Sequence, residues 1–384
     1  MADEKYTFIC RDANSSVYTA LGQYLLTNRK GQWRKLQSDS ICFNLMMGDR
    51  NKLPYSRLGQ KPGLRQLVNY YRGSEVICKK SQMIRELKKY CVNQDIPLFP
   101  WLPPSYVIIP AHSTEIFNST GDEVNGCENF KPIRKQQMDE RKELLELVHS
   151  DDIWIAKSSA GSKGDDIMIS NDVEELIQYI DNQKQAYIIQ KYINNPFLLN
   201  HQRKFDIRCW VLVDSMCSIY LFKDGVLRTS AEPYNPNDLT DLTSHLTNHC
   251  LQKQRSSNFG MYEEGNEMFY DQFNEYLRSC GKECLEYSIL PQIKDIIKTC
   301  FKVIKERIDT NYLNYSSFQL FGFDFILDEN LMVWLLEING APACAQKLLP
   351  NLIDSLVATA MDPVFPPLNS SRNNLSSSFE NIDS

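Results

Sequence analysis

The chain has 384 residues, of which 42% are hydrophobic and 23% charged, as in a globular protein of two or three domains. This composition excludes a collagen-like, low-complexity or membrane-spanning chain. The twelve cysteines form no C-x-x-C pair, which favours free thiols in a reducing cytoplasm. The net charge of −6 is uneven: residues 28–91, the basic segment, carry 15 Lys or Arg against four acids, a balance of +11 that leaves −17 elsewhere.

The N-terminal part alternates short strand and helix patterns. We predict strands at 6–10, 33–36, 43–47 and 105–109, and helices at 17–28, 64–71 and 81–90. Four prolines between residues 97 and 104 mark a turn-rich link. We expect a small basic α/β domain at 1–77 and a central lobe at 78–195.

The rest of the chain is β-rich and then helical. We predict a loop at 111–130, helices at 135–149, 174–181, within 268–305 and at 346–360, and strands at 153–157, 167–170, 186–193, 205–213, 218–222, 318–327 and 332–339. These elements predict a C-terminal lobe over 196–366. The Ser/Asn-rich segment 367–384 is expected to be a disordered tail.

The first stretch that suits a binding site is residues 154–164. An apolar strand ends in Lys157, and a loop of small residues with Lys163 and Gly164 follows. Glycine and serine let backbone N–H groups approach phosphate oxygens, and the lysines add positive charge. The stretch lacks the P-loop pattern, so a hairpin without a ligand is the alternative.

Residues 204–210 form the second stretch. Strand alternation places Lys204, Asp206 and Arg208 on one face and apolar side chains on the other. The mixed charges suit a phosphate and a ribose or metal ion. A solvated strand face is the alternative.

The third stretch is a predicted strand pair that turns at residues 330–331. This register brings Asp324 opposite Glu337, with Asn339 on the same face. Carboxylates between apolar strands need a compensating cation, and oxygen ligands suit Mg²⁺. A buried Asp–Arg pair is the structural alternative.

Together, these motifs resemble the tubulin-tyrosine-ligase-like family of the ATP-grasp superfamily. The matching stretches are KFDIR at 204–208, HLTN at 245–248, FGFD at 321–324 and EINGAP at 337–342. The resemblance reaches to about residue 366. It implies an α/β ATP-grasp fold with two lobes around a nucleotide cleft and a small N-terminal α/β domain. Segments 6–18, 43–46 and 67–73 resemble the tyrosine-adding member of the family.

The resemblance also implies a reaction. ATP would activate the C-terminal glutamate of detyrosinated α-tubulin as an acylphosphate, and the amine of free L-tyrosine would then form the amide. The enzyme would position the reactants and neutralise charge. ATP and Mg²⁺ are the implied cofactors, with K⁺ as a further candidate.

Site residues carry over by resemblance, position by position. Catalytic roles fall to Arg208, Arg228 and Glu337, and Mg²⁺ ligation to Asp324, Glu337 and Asn339. The implied ATP contacts are Lys80, Lys157, Lys163, Gly164, Gln190, Lys191, Tyr192, Ile193, Lys204, Asp206, Arg208, Arg228, Thr247 and Asn248.

The basic segment suggests an acidic partner, which the resemblance identifies as the C-terminal tail of α-tubulin in the αβ dimer. Arg50, Lys52, Arg57 and Arg72 lie beside turns and are the candidate contacts. We expect a cytoplasmic monomer, associated with the cytoskeleton through soluble tubulin, without a nucleic-acid or membrane partner.

Two other functions compete with this interpretation. A related tubulin glutamylase or glycylase is disfavoured by the N-terminal segments and by the lack of a long basic extension. A tubulin- or nucleic-acid-binding module with an inactive ATP fold is disfavoured by the intact set of Lys157, Arg208, Asp324, Glu337 and Asn339. A zinc site at His245 and His249 lacks a third ligand in register.

Overall fold

The structure is a computed structural model that describes residues 6–12, 14–37, 40, 42–50, 53–112, 139–149, 152–161, 166–310, 312–367 and 377–383. Within these ranges it contains fifteen β-strands, which form three sheets, and eleven α-helices. This mixed α/β architecture is consistent with the predicted ATP-grasp-like fold. Among the described helices, none is long and apolar enough to cross a membrane.

The first sheet is parallel and has the order β12-β4-β3-β1-β2. Its strands are β1 (Tyr6–Cys10), β2 (Trp33–Lys35), β3 (Leu45–Met47), β4 (Leu67–Val68) and β12 (Ser316–Ser317). Helix α1 (Ser16–Thr27) begins where the Ser15 hydroxyl accepts a hydrogen bond from the Tyr18 N–H. Because β12 comes from far along the chain, the predicted boundary at 77 does not separate all members of this sheet, and the domain limits stay predictions.

The predicted helix at 64–71 is wrong. Leu67 and Val68 form β4, which lies between β3 and β12. Both side chains are fully buried, as is typical of consecutive apolar residues in a parallel sheet covered on both faces. Pairing with neighbouring strands therefore overrides the local helical pattern.

The second sheet is antiparallel and has the order β5-β8-β6-β7. Its strands are β5 (Ser105–Ile108), β6 (Trp154–Ser158), β7 (Ile167–Ser170) and β8 (Tyr187–Lys191), accompanied by helices α2 (Glu75–Cys78), α3 (Lys80–Gln94), α4 (Arg141–Leu147) and α5 (Val173–Asp181). Helix α4 covers part of the helix predicted at 135–149. Residues 113–138, which include most of the predicted loop, lie outside the described residues.

The third sheet is antiparallel and has the order β11-β10-β9-β13-β14, with β15 beside the first part of β10. Its strands are β9 (Arg203–Val213), β10 (Ile219–Pro233), β11 (Glu267–Phe269), β13 (Gln319–Leu327), β14 (Val333–Asn339) and β15 (Phe379–Asn381). The remaining helices are α6 (Leu242–His245), α7 (His249–Arg255), α8 (Tyr270–Ser279), α9 (Leu285–Ser288), α10 (Leu290–Ile308) and α11 (Leu349–Leu356).

Strand β9 shows the predicted alternation. Ile207 and Cys209 are buried in the core that also contains apolar residues of α10, including Ile297. Asp206 and Arg208 point to the opposite face, which carries the candidate site. The strand's apolar side thus anchors its charged side beneath a cleft.

The predicted disorder of the tail is wrong for residues 377–383. Strand β15 pairs antiparallel with residues 220–222 of β10, and Phe379 and Ile382 are buried. A polar composition concealed these two apolar anchors. Residues 368–376 and 384 lie outside the described residues.

Candidate active site

A cleft of about 900 Å³, open to solvent, lies between the second and third sheets. Apolar side chains form parts of both walls: Ile155 and Ile167 come from the second sheet, and Ile326 and Leu336 come from the third. Such walls suit a flat, largely apolar ring, while the polar groups between them suit its charged substituents. No sequence pattern had indicated these four residues, although Ile326 lies two positions after Asp324 on the same strand face.

Most of the predicted ATP contacts line this cleft. They are Lys80, Lys157, Gln190, Lys191, Tyr192, Ile193, Lys204, Asp206, Arg228, Thr247 and Asn248. Arg208 does not line the cleft itself, but it contacts Asp324, which does. Lys163 and Gly164 lie outside the described residues, so the proposed phosphate loop stays a prediction.

Lys80 and Lys157 bring positive charge to the cleft. Lys157 Nζ donates to Gln190 Oε1 at 2.8 Å, and burial, followed by the nearby charge of Lys80, lowers the pKa of Lys157 to about 8. Lys80, at the start of α3, donates to the Gly161 carbonyl at 3.1 Å and pairs with Glu337 Oε2 at 2.9 Å. Lys80 therefore connects both walls.

A hydrogen-bonded chain leads inward from Lys204. Lys204 Nζ donates to Tyr192 Oη at 2.6 Å, and the Tyr192 hydroxyl lies 2.7 Å from His245 Nδ1. His245 Nε2 lies 2.9 Å from the carbonyl of Asp238, which can only accept. Nε2 therefore carries the proton, and Nδ1 accepts from Tyr192. Burial lowers the pKa of His245 and so favours this neutral form. The sequence placed His245 in the HLTN stretch and in a disfavoured zinc pair, and it did not indicate this contact with Tyr192.

Burial, followed by the charge of Lys157, lowers the pKa of Lys204 to about 7. A bound triphosphate favours the charged amine, so binding takes up a proton above that pH. We expect ATP affinity to fall roughly tenfold between pH 7 and 8.5, with Lys157 acting in the same direction. Calorimetry in buffers of different ionisation enthalpy measures this uptake. Lys204→Arg should lower it, because arginine stays charged. Equal uptake by both proteins would contradict the assignment.

Beneath the lysines lies an arginine–carboxylate layer formed by Asp206, Arg208, Arg228, Asp324 and Glu337. Arg208 contacts Asp324 through two nitrogens, with Nη2 2.7 Å from Oδ2. Arg228 donates to Asp206 Oδ1 and to Asp324 Oδ2, both at 2.7 Å. With Lys80, the layer holds three cations and three carboxylates and has no formal net charge. Asp324 thus makes the buried Asp–Arg pair that the sequence left as an alternative.

The predicted pairing of the acids is confirmed, because Asp324 lies directly opposite Glu337 in the β13–β14 pair, although Phe325 pairs with Leu335 and a bulge therefore separates the two pairs. Asn339 Nδ2 donates to Glu337 Oε1 at 3.2 Å and to Asp324 Oδ2 at 3.4 Å. Burial alone would raise the pKa of Glu337, but Lys80 and the arginines outweigh it and hold that pKa well below its usual range. Glu337 is therefore ionised at neutral pH.

These residues fit a magnesium ion. Two carboxylates and an amide, which presents its oxygen after a flip, are the hard donors that Mg²⁺ prefers. A phosphate could take over Lys80 and Arg228 and so release carboxylate oxygens. Elsewhere in the described ranges, as here, no group of three His, Cys, Asp or Glu is arranged to hold a metal. The candidate magnesium site therefore depends on the Asn339 amide as its third ligand.

The basic segment is partly paired within the protein. Arg50 Nη1 lies 3.4 Å from Glu75 Oε1, and Arg29 and Lys88 pair with Asp362 and Glu140. Arg57 and Arg72 are exposed and stay the best candidates for an external contact. Lys52 lies outside the described residues.

Comparison with known proteins connects this geometry to one family. The model of the tubulin-tyrosine ligase family matches residues 58–373. Similar proteins include tubulin glycylase 3D of Tetrahymena thermophila (30% identical over 256 residues, 63% of this chain and 24% of the relative) and a tubulin monoglycylase of Danio rerio (29% over 238 residues, 59% and 30%). A protein polyglycylase of Mus musculus is 29% identical over 272 residues, which are 64% of this chain and 38% of the relative. The chain thus matches less than two fifths of the length of each relative.

Proposed function

The chain belongs to the tubulin-tyrosine ligase family, and on that basis we propose that it is an ATP-dependent ligase that joins an amino acid to tubulin. The observation that carries the proposal is the neutral arginine–carboxylate layer under a cleft lined by four lysines. Its cations can exchange their carboxylate partners for phosphate oxygens, and the carboxylate oxygens that they release are then available to Mg²⁺. ATP and Mg²⁺ are used by the family in general.

Each part of the cleft has a role in this proposal. Adenine lies between the apolar walls, and Gln190, Lys191, Tyr192 and Ile193 contact it mainly through the backbone. The ATP phosphates are held by Lys157 and Lys204, with Lys80 closing over them. When Mg²⁺ is bound by Asp324, Glu337 and Asn339, it neutralises charge on the phosphates. Asp206 and Thr247, which are hydrogen-bonded to each other, lie beside the ribose or the amino acid.

The reaction proceeds in two steps. A carboxylate oxygen of the acceptor attacks the γ-phosphorus, and ADP leaves with the electrons of the broken P–O bond. The amine then attacks the acyl carbon, phosphate leaves, and an amide forms after the nitrogen loses its proton. Arg208 and Arg228 lie where the charge of the transferring phosphoryl group needs compensation.

We propose that the amine is free L-tyrosine and that the acceptor is the C-terminal glutamate of α-tubulin. The resemblance of segments 6–18, 43–46 and 67–73 to tubulin tyrosine ligase supports this choice. Glycine is the second candidate, since the compared relatives are named glycylases. Either amino acid would be joined by the same cleft chemistry.

The test is an incorporation assay with detyrosinated αβ-tubulin, ATP–Mg²⁺ and radiolabelled tyrosine, glycine or glutamate in parallel. We expect ATP-dependent incorporation of tyrosine into α-tubulin. Incorporation of glycine instead would support the second candidate. No incorporation of any of the three would contradict the proposed ligase function.

The exposed arginines of the basic segment should attract the acidic tubulin tail. We expect the double substitution Arg57→Glu and Arg72→Glu to raise the KM for tubulin about tenfold at low salt, with a smaller effect at high salt. The KM for ATP should stay unchanged. The control variant reverses the charge of two exposed lysines of α10, Lys302→Glu and Lys305→Glu. It therefore changes the net charge by the same amount as the arginine variant. Equal effects of both double variants would contradict a local docking site.

A further inference from the structure

Strand β11 places one acidic residue on the face of the third sheet that carries the site. Arg228 of β10 is the register partner of both Asp206 on β9 and Glu267 on β11. Directly paired residues in antiparallel strands project to the same face. Glu267 therefore extends the arginine–carboxylate layer to the sheet edge opposite Glu337.

The Glu267 carboxylate is half-buried, and within the described residues no hydrogen bond or ion pair engages it. Burial raises the pKa of Glu267, and the nearby Arg228 only partly offsets this effect. A desolvated carboxylate without a partner is costly, in contrast to the three paired acids of the layer. Such a group suits a cationic ligand.

Two further residues complete a small surface beside Glu267. Phe269 lies two positions along β11 and so projects to the same face. The ammonium group of Lys347 lies 4.4 Å from the centroid of the Phe269 ring. Lys347 itself is exposed, in the segment between β14 and α11. A carboxylate and an aromatic ring thus share one strand face, the ring contacts an ammonium group, and Arg228 is the register partner of the residue that carries the carboxylate.

This arrangement is complementary to a free amino acid. The α-ammonium group needs an anionic acceptor, and the α-carboxylate needs a cationic donor. Along the face, Glu267 is the register partner of Arg228, where the activated acceptor would form. A zwitterion with its ammonium group on Glu267 therefore presents its nitrogen to the reaction.

We propose that Glu267, Phe269 and Lys347 form the binding site of the incoming amino acid. Glu267 accepts hydrogen bonds from the α-amino group, Lys347 pairs with the α-carboxylate, and Phe269 supplies the apolar contact between them. The inference rests on the proposed ligase function and adds the site of its second substrate.

The first test is Glu267→Gln, assayed with the amino acid that the wild-type enzyme ligates. We expect its KM to rise about tenfold or more, because a charge-assisted hydrogen bond is lost, while the KM for ATP stays within twofold. Glu264→Gln is the matched control, since this exposed glutamate lies three residues earlier and off the strand. Equal amino-acid KM values for wild type and Glu267→Gln would overturn the inference.

Two tyrosine analogues, used as inhibitors of ligation, separate the roles of Glu267 and Lys347. Tyramine lacks the carboxylate, and 3-(4-hydroxyphenyl)propionate lacks the amine. Inhibition by tyramine should weaken in Glu267→Gln and persist in Lys347→Gln, and the second analogue should show the reverse pattern. A thermal melt of each variant checks folding. Parallel weakening of both analogues in each variant would indicate a general distortion and overturn the assignment.

These measurements distinguish failure of the proposed ligase function from failure of the proposed amino-acid site. A wild-type enzyme that ligates no amino acid would remove both the ligase function and this site. Normal wild-type ligation together with unchanged constants in Glu267→Gln would remove only the site. Ligation of glycine instead of tyrosine would leave the Glu267 test intact, with glycine as the varied substrate.

Discussion

Replacing Glu337 with glutamine is expected to lower ligation turnover about a thousandfold while the protein stays folded. The amide keeps the size of the side chain, and it can still accept from Lys80 or Asn339. It removes the negative charge that a magnesium ion and the layer's cations require. Because the Glu337 side chain is 26% exposed, the remaining polar group still reaches water and the fold loses little stability.

Single-turnover formation of ADP, measured beside a thermal melt, separates these two effects. Glu329→Gln is the matched control, since that glutamate is exposed in the turn between β13 and β14. Near-normal turnover of Glu337→Gln at saturating Mg²⁺ would remove Glu337 from the metal site. A collapsed melting curve would instead assign it a structural role.

Arg208→Lys is expected to lower turnover about a hundredfold and to destabilise the fold by roughly 1–3 kcal/mol. Lysine keeps the charge but loses the planar fork that contacts both oxygens of Asp324. Asp324 is only 1% exposed, so an oxygen that loses its donor cannot turn to water. Arg228 still contacts Asp324, which limits the loss of stability.

Arg203→Lys provides the comparison for Arg208→Lys. Arg203 makes an equally buried two-nitrogen pair with Glu263, at 2.8 and 2.6 Å, outside the cleft lining. We expect this variant to lose similar stability in urea unfolding but to keep its turnover. If both variants lost turnover in proportion to stability, Arg208 would have no specific role in phosphoryl transfer.

The sequence predicted the parts of the site that depend on strand periodicity. Alternation alone placed Asp206 and Arg208 on one face, because side chains in a strand alternate with a period of two. The hairpin prediction gave the Asp324–Glu337 pair, but next to the turn Phe325 pairs with Leu335, one residue off the predicted register, and a bulge restores the pairing of the acids.

Long-range pairing explains what the sequence could not predict. Asp324 is compensated by Arg208 and Arg228, which lie on strands far earlier in the chain, and no local pattern indicates that contact. Glu267 was overlooked for the same reason, since its relevance depends on the β10–β11 register. In the same way, residues 67–68 form strand β4 because they pair with β3 and β12.

The central claim, that the cleft activates a carboxylate as an acylphosphate, is tested most directly by following oxygen. Removal of the terminal tyrosine of α-tubulin by a carboxypeptidase in H₂¹⁸O labels one oxygen of the new glutamate carboxylate. After ligation with ATP and tyrosine, about half of the released phosphate should carry ¹⁸O, because either of the two carboxylate oxygens can attack phosphorus. Tyrosine incorporation with unlabelled phosphate, or no incorporation at all, would contradict the account.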